Sequence, residues 1–164
     1  EYLAERHGGV WSADPVARAC SRCAAAEMHS GFNALRNMCG MNCGIRVELR
    51  ERPPALQADI LRIGEIWNEG LSRFGGPYLA GPAFTAVDAF FAPVAFRAQT
   101  YALDFGGGAS SYVERILALP AMREWYEAAL QEPWREPNHE DESRALTPAK
   151  GRAILDWLAA HPRT

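Results

Sequence analysis

Apolar residues recur at three- and four-residue spacing along most of the chain, which is the periodicity of helices that bury one face. After Pro53-Pro54, one such stripe consists of Leu56, Ile60, Ile63, Trp67 and Leu71. Residues 86 to about 103 are apolar around most of the helical circumference, which indicates a helix surrounded by others. No segment alternates convincingly as a strand does. The pattern predicts an all-α bundle.

Start and stop signals divide this bundle into about five or six helices and a C-terminal helical extension. Asp14 as N-cap and Pro15 in the first turn open the longest helix, whose spacing continues to about Met38. Further helices are predicted to begin at Pro54, Ala86, Ser111 and Pro120. Residues 132–143 are predicted to be an irregular polar tail, and Thr147-Pro148 to open a last helix with a packing role.

Composition and charge limit the classes of molecule that this chain is expected to bind. A chain of 164 residues, 48% of them hydrophobic, can bury one good core. Seventeen basic and 20 acidic residues give a net charge of −3 without a basic block, so no nucleic acid or anionic membrane is expected as a partner. The first residues are too charged for a signal peptide, and no apolar run is long enough to span a bilayer. A cytoplasmic protein is expected.

A helix cap is the most specific local pattern. Thr85 and Asp88 are spaced so that each side chain accepts a hydrogen bond from the other residue's backbone N–H. Phe84 stands just outside this cap, although Ala89 is a small partner for it. The segment from Gly76 to Asp88 resembles the "YLxG…FTxAD" segment that opens the central core helix of the C-terminal domain of cytosolic-type glutathione S-transferases.

A second motif lies in the long helix. Residues 27–32, Glu-Met-His-Ser-Gly-Phe, resemble the "ELHKGF" segment of beta-class bacterial glutathione transferases. With Tyr2-Leu3, Trp67 and the capped segment, the resemblance covers roughly residues 1–136. It implies a glutathione S-transferase C-terminal-like helix bundle over residues 10–136, followed by a tail and an extra helix over residues 137–164. Residues 1–9 would end a helix of a preceding thioredoxin-like domain, absent from this chain, which holds most of the glutathione site.

The resemblance also assigns roles. It implies His29 as the catalytic donor to the glutathione sulfur or the substrate, with Arg22, Ala26 and Ser30 lining glutathione. It implies Glu27 as the ligand of the γ-glutamyl ammonium bound to the neighbouring subunit of a homodimer. At about 100° per residue, Arg22, Ala26 and His29 share a stripe, and Glu27 lies about 140° from Arg22. Three positions depart from the family pattern. The family has Asn where this chain has Arg22, Ser where it has Ala26, and Lys where it has Ser30.

Structural alternatives stay open for these residues. A lone helical His is more often a surface or hydrogen-bonded residue than a site residue. Glu27 could equally be a surface or intersubunit carboxylate, and Arg18 and Arg36 are expected on a solvated face. Met and aromatic residues at helical spacing are usually core residues, yet they also suit an apolar substrate pocket. That pocket is expected to draw on Phe32, Met38, Met41 and Tyr101.

The four cysteines could form two halves of a zinc site, with His29 as a spare ligand. However, Cys20 and Cys23 lie in the middle of the predicted helix without a glycine-bearing turn. Roughly 20 Å of helix would separate them from Cys39. No strand precedes them, as a thioredoxin-type redox motif requires. Structural thiols, including Cys43, are predicted, with no metal and no redox role.

The resemblance implies that the whole protein conjugates glutathione, as co-substrate, to a small electrophile in bacterial detoxification. The enzyme would position the tripeptide and stabilise its thiolate. The chain alone is not expected to do so, since most of the glutathione site lies in the absent domain. The alternative is a non-catalytic dimerisation or protein-binding module, because one fold can host both functions.

Overall fold

The computed structural model describes residues 1–134 and 136–145. This part of the chain is all-helical and contains no β-strand, which confirms the predicted fold class. None of its helices has both the length and the apolar character needed to cross a bilayer. The helices are α1 (Pro15–Ser30), α2 (Asn33–Met38), α3 (Pro54–Arg73), α4 (Ala86–Tyr101), α5 (Ala109–Ala118), α6 (Pro120–Gln131) and α7 (Pro137–Ala145).

The predicted long first helix is two helices in the structure. Gly31 takes an extended conformation after α1, and Phe32 follows in the left-handed region with φ 58°. The Asp59 carboxylate of α3 accepts a hydrogen bond from the Leu35 N–H at 2.9 Å, near the start of α2. Glycine is a poor helix former, so a contact from α3 suffices to favour a break at this point.

The prediction of an irregular tail over residues 132–143 is wrong in its second half. α7 forms over Pro137–Ala145. Proline suits the first position of a helix, and acidic residues suit its N-terminal half. The helix predicted from Thr147 lies outside the described residues. The split first helix and α7 account for the described helices beyond the five or six predicted.

Trp67 of α3 lies at the centre of the core. Its indole is fully buried and packs against the rings of Phe91, Phe105 and Tyr112, at centroid distances of 5.7, 4.7 and 5.0 Å. Helices α3, α4 and α5 therefore meet around one side chain. The other members of the predicted stripe are buried Leu56, Ile60 and Ile63 and partly buried Leu71.

The capping box predicted at the start of α4 is present. The buried Asp88 carboxylate accepts from the Thr85 N–H at 2.8 Å and from the Thr85 hydroxyl at 3.3 Å. It also accepts from the Leu79 N–H at 3.0 Å and from the Tyr112 hydroxyl at 3.1 Å. Burial raises the pKa of Asp88, and these four hydrogen bonds oppose the rise. One carboxylate thus joins the preceding loop, the cap and α5.

Candidate functional site

One exposed face of α1 carries three of the predicted site residues. Arg22, Ala26 and His29 line a single shallow cavity of about 290 Å³. Their positions agree with the stripe expected at about 100° per residue. Trp11 and Phe90 contribute apolar surface to the same cavity. The structure therefore brings a guanidinium and an imidazole to one concave surface.

The N-terminal segment forms another side of this cavity, which the sequence did not reveal. The Arg22 guanidinium pairs with the Glu1 carboxylate at 3.0 Å, and both side chains are more than half exposed. The indole N–H of Trp11 is buried without a hydrogen-bond partner among the described residues. Only tertiary contact brings these residues to α1, so no local pattern could have indicated them.

Glu27 faces a different cavity of about 170 Å³, which it shares with Cys20 and Cys23. Both of its carboxylate oxygens accept hydrogen bonds from Arg62 of α3, at 2.7 and 3.0 Å. Arg62 also donates to Glu65 at 3.0 Å. The hydrogen bond from Arg62 lowers the pKa of Glu27. A ligand ammonium would have to share this carboxylate with Arg62 or displace it.

The end of α1 is closed by side-chain hydrogen bonds. The Ser30 hydroxyl donates to a carbonyl of the preceding turn at 3.0 Å. Arg36 of α2 donates to the carbonyl oxygens of Met28 and Gly31, the second at 3.0 Å. The prediction of a solvated face is therefore wrong for Arg36, which is partly buried. The last carbonyls of a helix lack partners within the helix and attract cations.

The four residues predicted for the electrophile pocket do not line one cavity. Phe32 and Tyr101 are buried core residues. Met38 and Met41 line a cavity of about 340 Å³, to which neither aromatic ring contributes. Helical spacing does not distinguish rings that fill the core from rings that face a cavity, so the sequence could not separate these two pairs of residues.

The cavity that Met38 and Met41 line also has a charged wall. Arg36 and Arg97 contribute guanidinium groups, and His139 and Glu142 of α7 line it as well. Burial and the nearby Arg36 lower the pKa of Arg97. Arg97 was missed in the sequence because it lies within the most apolar helix, where nothing local marks it as a site residue.

Helix α4 is hydrogen-bonded to the loop over residues 39–47, which borders this cavity. Three of its side chains donate to carbonyl oxygens of the loop, Arg97 at 2.8 Å, Thr100 at 2.6 Å and Tyr101 at 3.0 Å. The Val47 N–H donates in return to the Thr100 carbonyl at 2.7 Å. These bonds give the Tyr101 hydroxyl a structural role.

A further cavity of about 430 Å³ borders the previous one and shares Met41, Asn42 and His139 with it. Trp125 of α6 and Trp134 line this space. Both indoles are exposed, Trp134 to 78%. The sequence analysis assigned no role to either, since an exposed Trp and a core Trp look alike in a helical pattern.

The cysteines fall into two kinds. Burial raises the pKa of both the Cys39 and the Cys43 thiols, to about 11 for Cys39. The prediction of structural thiols holds for this buried pair and fails for Cys23, which is exposed on α1. Cys20 is partly buried, with Arg73 at 3.8 Å from its sulfur. Among the described residues, no group of three or more His, Cys, Asp or Glu side chains could hold a metal ion.

Comparison with known families gives one match. The model of the family described as glutathione S-transferase, C-terminal domain, matches residues 24–128. This range runs from the second half of α1 into α6 and includes the capping box. Comparisons with curated proteins and with solved structures found no match.

Proposed function

Because the chain belongs to the glutathione S-transferase C-terminal domain family, we propose that it is the helical half of a glutathione transferase. A thioredoxin-like domain would supply the rest of the glutathione site, as the resemblance to beta-class bacterial enzymes implies. The whole protein would join the glutathione sulfur to a small electrophile. The proposal extends to a cytoplasmic bacterial enzyme that acts in detoxification.

The observation that carries this proposal is the shared cavity of Arg22, Ala26 and His29 on α1. Arg22 offers a guanidinium that suits a carboxylate, and glutathione carries two carboxylates. His29 can donate a hydrogen bond from its imidazole to a thiolate. Ala26 lies between them without a bulky side chain. Together they suit one wall of a tripeptide site.

Catalysis at this wall of the glutathione site would depend on stabilising the glutathione thiolate. His29 would donate to the sulfur or to the polar group of the electrophile, while the bound geometry brings the two reactants together. Ser30 completes the assigned set, although its hydroxyl is used within α1 at 3.0 Å. The electrophile would bind in the cavity lined by Met38 and Met41, whose flexible thioethers adapt to varied apolar shapes.

The proposal includes a homodimer with α1 at the interface. Glu27 would reach the glutathione of the neighbouring subunit, and its carboxylate stays ionised because Arg62 lowers its pKa. The ammonium would then join an existing ionic cluster of Glu27, Arg62 and Glu65. Such a cluster tolerates one more cation, since it already holds two carboxylates.

The test measures glutathione transfer to 1-chloro-2,4-dinitrobenzene by the full-length protein. We expect His29→Ala to lower kcat/KM about tenfold or more, because a positioned proton donor contributes at least that much. His29→Gln, which keeps a donor, should lose less. Cys23→Ala is the matched control, since Cys23 is also exposed on α1 but lines a different cavity.

Unchanged kcat/KM in His29→Ala would remove His29 from the site. Absence of transfer by the unaltered full-length protein would instead favour the alternative, a non-catalytic dimerisation or binding module. One observation supports that alternative, namely that Arg62 already occupies both oxygens of Glu27. Glutathione binding by calorimetry separates the two, because the module predicts none.

A further inference from the structure

Two arginine side chains without an ion pair to any described residue line the same cavity. Arg22, Arg62 and Arg73 each form an ion pair with a carboxylate at 3.0 Å or less. Arg36 and Arg97 form no ion pair within the described part of the chain. Both are partly buried, and both line the 340 Å³ cavity between α2 and α4.

The two guanidinium groups lie close enough for Arg36 to lower the pKa of Arg97. Placing like charges together in a partly buried site is unfavourable unless an anion compensates them. Guanidinium groups stay protonated at all ordinary pH values, so the repulsion cannot be relieved by loss of a proton. The cavity wall therefore favours a negatively charged ligand.

Backbone contacts hold both side chains in place. Arg97 donates from Nε to the Cys39 carbonyl at 2.8 Å and more weakly to the Pro93 carbonyl at 3.4 Å. Arg36 is held by the carbonyl oxygens at the end of α1. A guanidinium has five N–H donors, so each retains donors for a ligand after these bonds. Little side-chain entropy would be lost on binding, because both are already ordered.

The rest of the lining indicates what kind of anion fits. Met38 and Met41 supply apolar surface, and Asn37 supplies an amide. Glu142 is the one acidic residue among those described in the lining, and it pairs with neither arginine. A cavity of this size and mixed lining suits a small organic molecule better than a bare inorganic ion.

We propose that this cavity selects electrophiles that carry a carboxylate or sulfonate, with the anionic group at Arg36 and Arg97 and the apolar body on Met38 and Met41. The substrate role rests on the proposed transferase function. Binding of the anion does not require glutathione and can be measured without it.

The first test is calorimetric titration of the full chain with 2-naphthoate and with its neutral analogue 2-naphthalenemethanol. We expect naphthoate to bind at least about tenfold more tightly, as charge-assisted hydrogen bonds do. Arg97→Gln should abolish this preference. Because that change also touches the Cys39 carbonyl contact, the second variant is Asn37→Asp, an exposed and nearly isosteric change that adds a negative charge to the lining.

The matched control is Arg73→Gln, which removes an arginine outside this cavity that pairs with Glu69, and it should leave both affinities unchanged. Equal affinities for the two probes, or a preference that survives both Arg97→Gln and Asn37→Asp, would overturn the proposal. Inorganic phosphate that binds as tightly as naphthoate would also overturn it, since the methionines would then contribute nothing.

Steady-state kinetics of the full-length protein test whether this cavity selects anionic substrates. Arg97→Gln should lower kcat/KM for 4-chloro-3,5-dinitrobenzoate about tenfold more than for 1-chloro-2,4-dinitrobenzene. Selective binding of naphthoate without any glutathione transfer would support the anion site and contradict the transferase function. Failure of the anion site can therefore be distinguished from failure of the proposed function. Equal losses for both electrophiles would refute the selection of anionic substrates.

Discussion

The surroundings of each cysteine decide its chemistry in this chain. Cys39 is fully buried, and desolvation raises the pKa of its thiol to about 11 although Arg97 and Arg52 oppose the rise. A buried thiol behaves as a small apolar group, so Cys39 is a core residue at the start of the loop that follows α2. Cys23 contacts solvent and lacks this protection.

We expect the stability of the protein to fall between about pH 9 and pH 11 because of Cys39. The Cys39 thiol has a higher pKa in the folded protein than in the unfolded chain. Its contribution to the free energy of unfolding is therefore complete below the unfolded-state pKa and is lost as the pH rises through the folded-state pKa. A shift of about two units corresponds to about 2–3 kcal/mol. Urea unfolding from pH 7 to pH 11 measures this as the difference between wild type and Cys39→Ala.

The control for this prediction is Cys23→Ala, which should keep the alkaline loss of the wild type because Cys23 is exposed. Identical pH profiles for wild type and Cys39→Ala would show that another group is responsible. Cys43, whose pKa burial also raises, is the first group to test in that case, and Tyr112 is the second.

Helix α3 has two glycines that allow close contact with backbone. A Cβ at Gly70 would lie 2.6 Å from the Leu79 carbonyl oxygen, and one at Gly64 would overlap the Phe105 carbonyl oxygen. Glycine in a helix interior is unfavourable by about 1 kcal/mol relative to alanine. The helix accepts this cost because the neighbouring segments pack directly on it.

Gly70→Ala should therefore reverse the usual effect of such a change. In place of a gain of about 1 kcal/mol from helix propensity, we expect a net loss of about 2–3 kcal/mol from overpacking. The free energy of unfolding in urea measures it. Gly8→Ala serves as the control, since no atom lies within 4 Å of a Cβ there. A more stable Gly70→Ala variant would contradict the close contact.

Helix starts and buried stripes were predictable because their causes are local. The capping pair of Thr85 and Asp88 and the apolar spacing that leads to Trp67 are both visible in a short window. The break after α1 was not, because it depends in part on Asp59 of α3, which lies 24 residues beyond its partner Leu35 in the chain. Helical periodicity continues through Gly31 in the sequence, and tertiary contacts interrupt it.

The buried Asp88 connects parts of the molecule that are distant in sequence. Its carboxylate accepts hydrogen bonds from Leu79, Thr85 and Tyr112, which belong to a loop, a cap and another helix. A buried carboxylate is tolerated only with such compensation. The cap motif in the sequence indicated one of these partners, and only the fold supplied the others.

Asp88→Ala should lower the free energy of unfolding by about 3 kcal/mol, because it leaves several buried donors without an acceptor. Chemical unfolding of the purified chain tests this. Glu65→Ala is the matched control, an exposed acid in an ion pair, whose loss should cost less than about 1 kcal/mol. Equal effects of the two changes would mean that the Asp88 cluster contributes no more than a surface pair.

The sequence by itself determined the helical class, most helix starts, the buried stripes and the capping box, because backbone propensity, periodicity and capping act within a few residues. It also indicated that Arg22, Ala26 and His29 share a face, since helical geometry alone gives that answer. Only the tertiary structure decided that Glu27 is held by Arg62, that Phe32 and Tyr101 are core residues, and that Arg36 and Arg97 share a cavity. Those outcomes depend on which helices pack together, and sequence periodicity shows which face is buried but not what covers it.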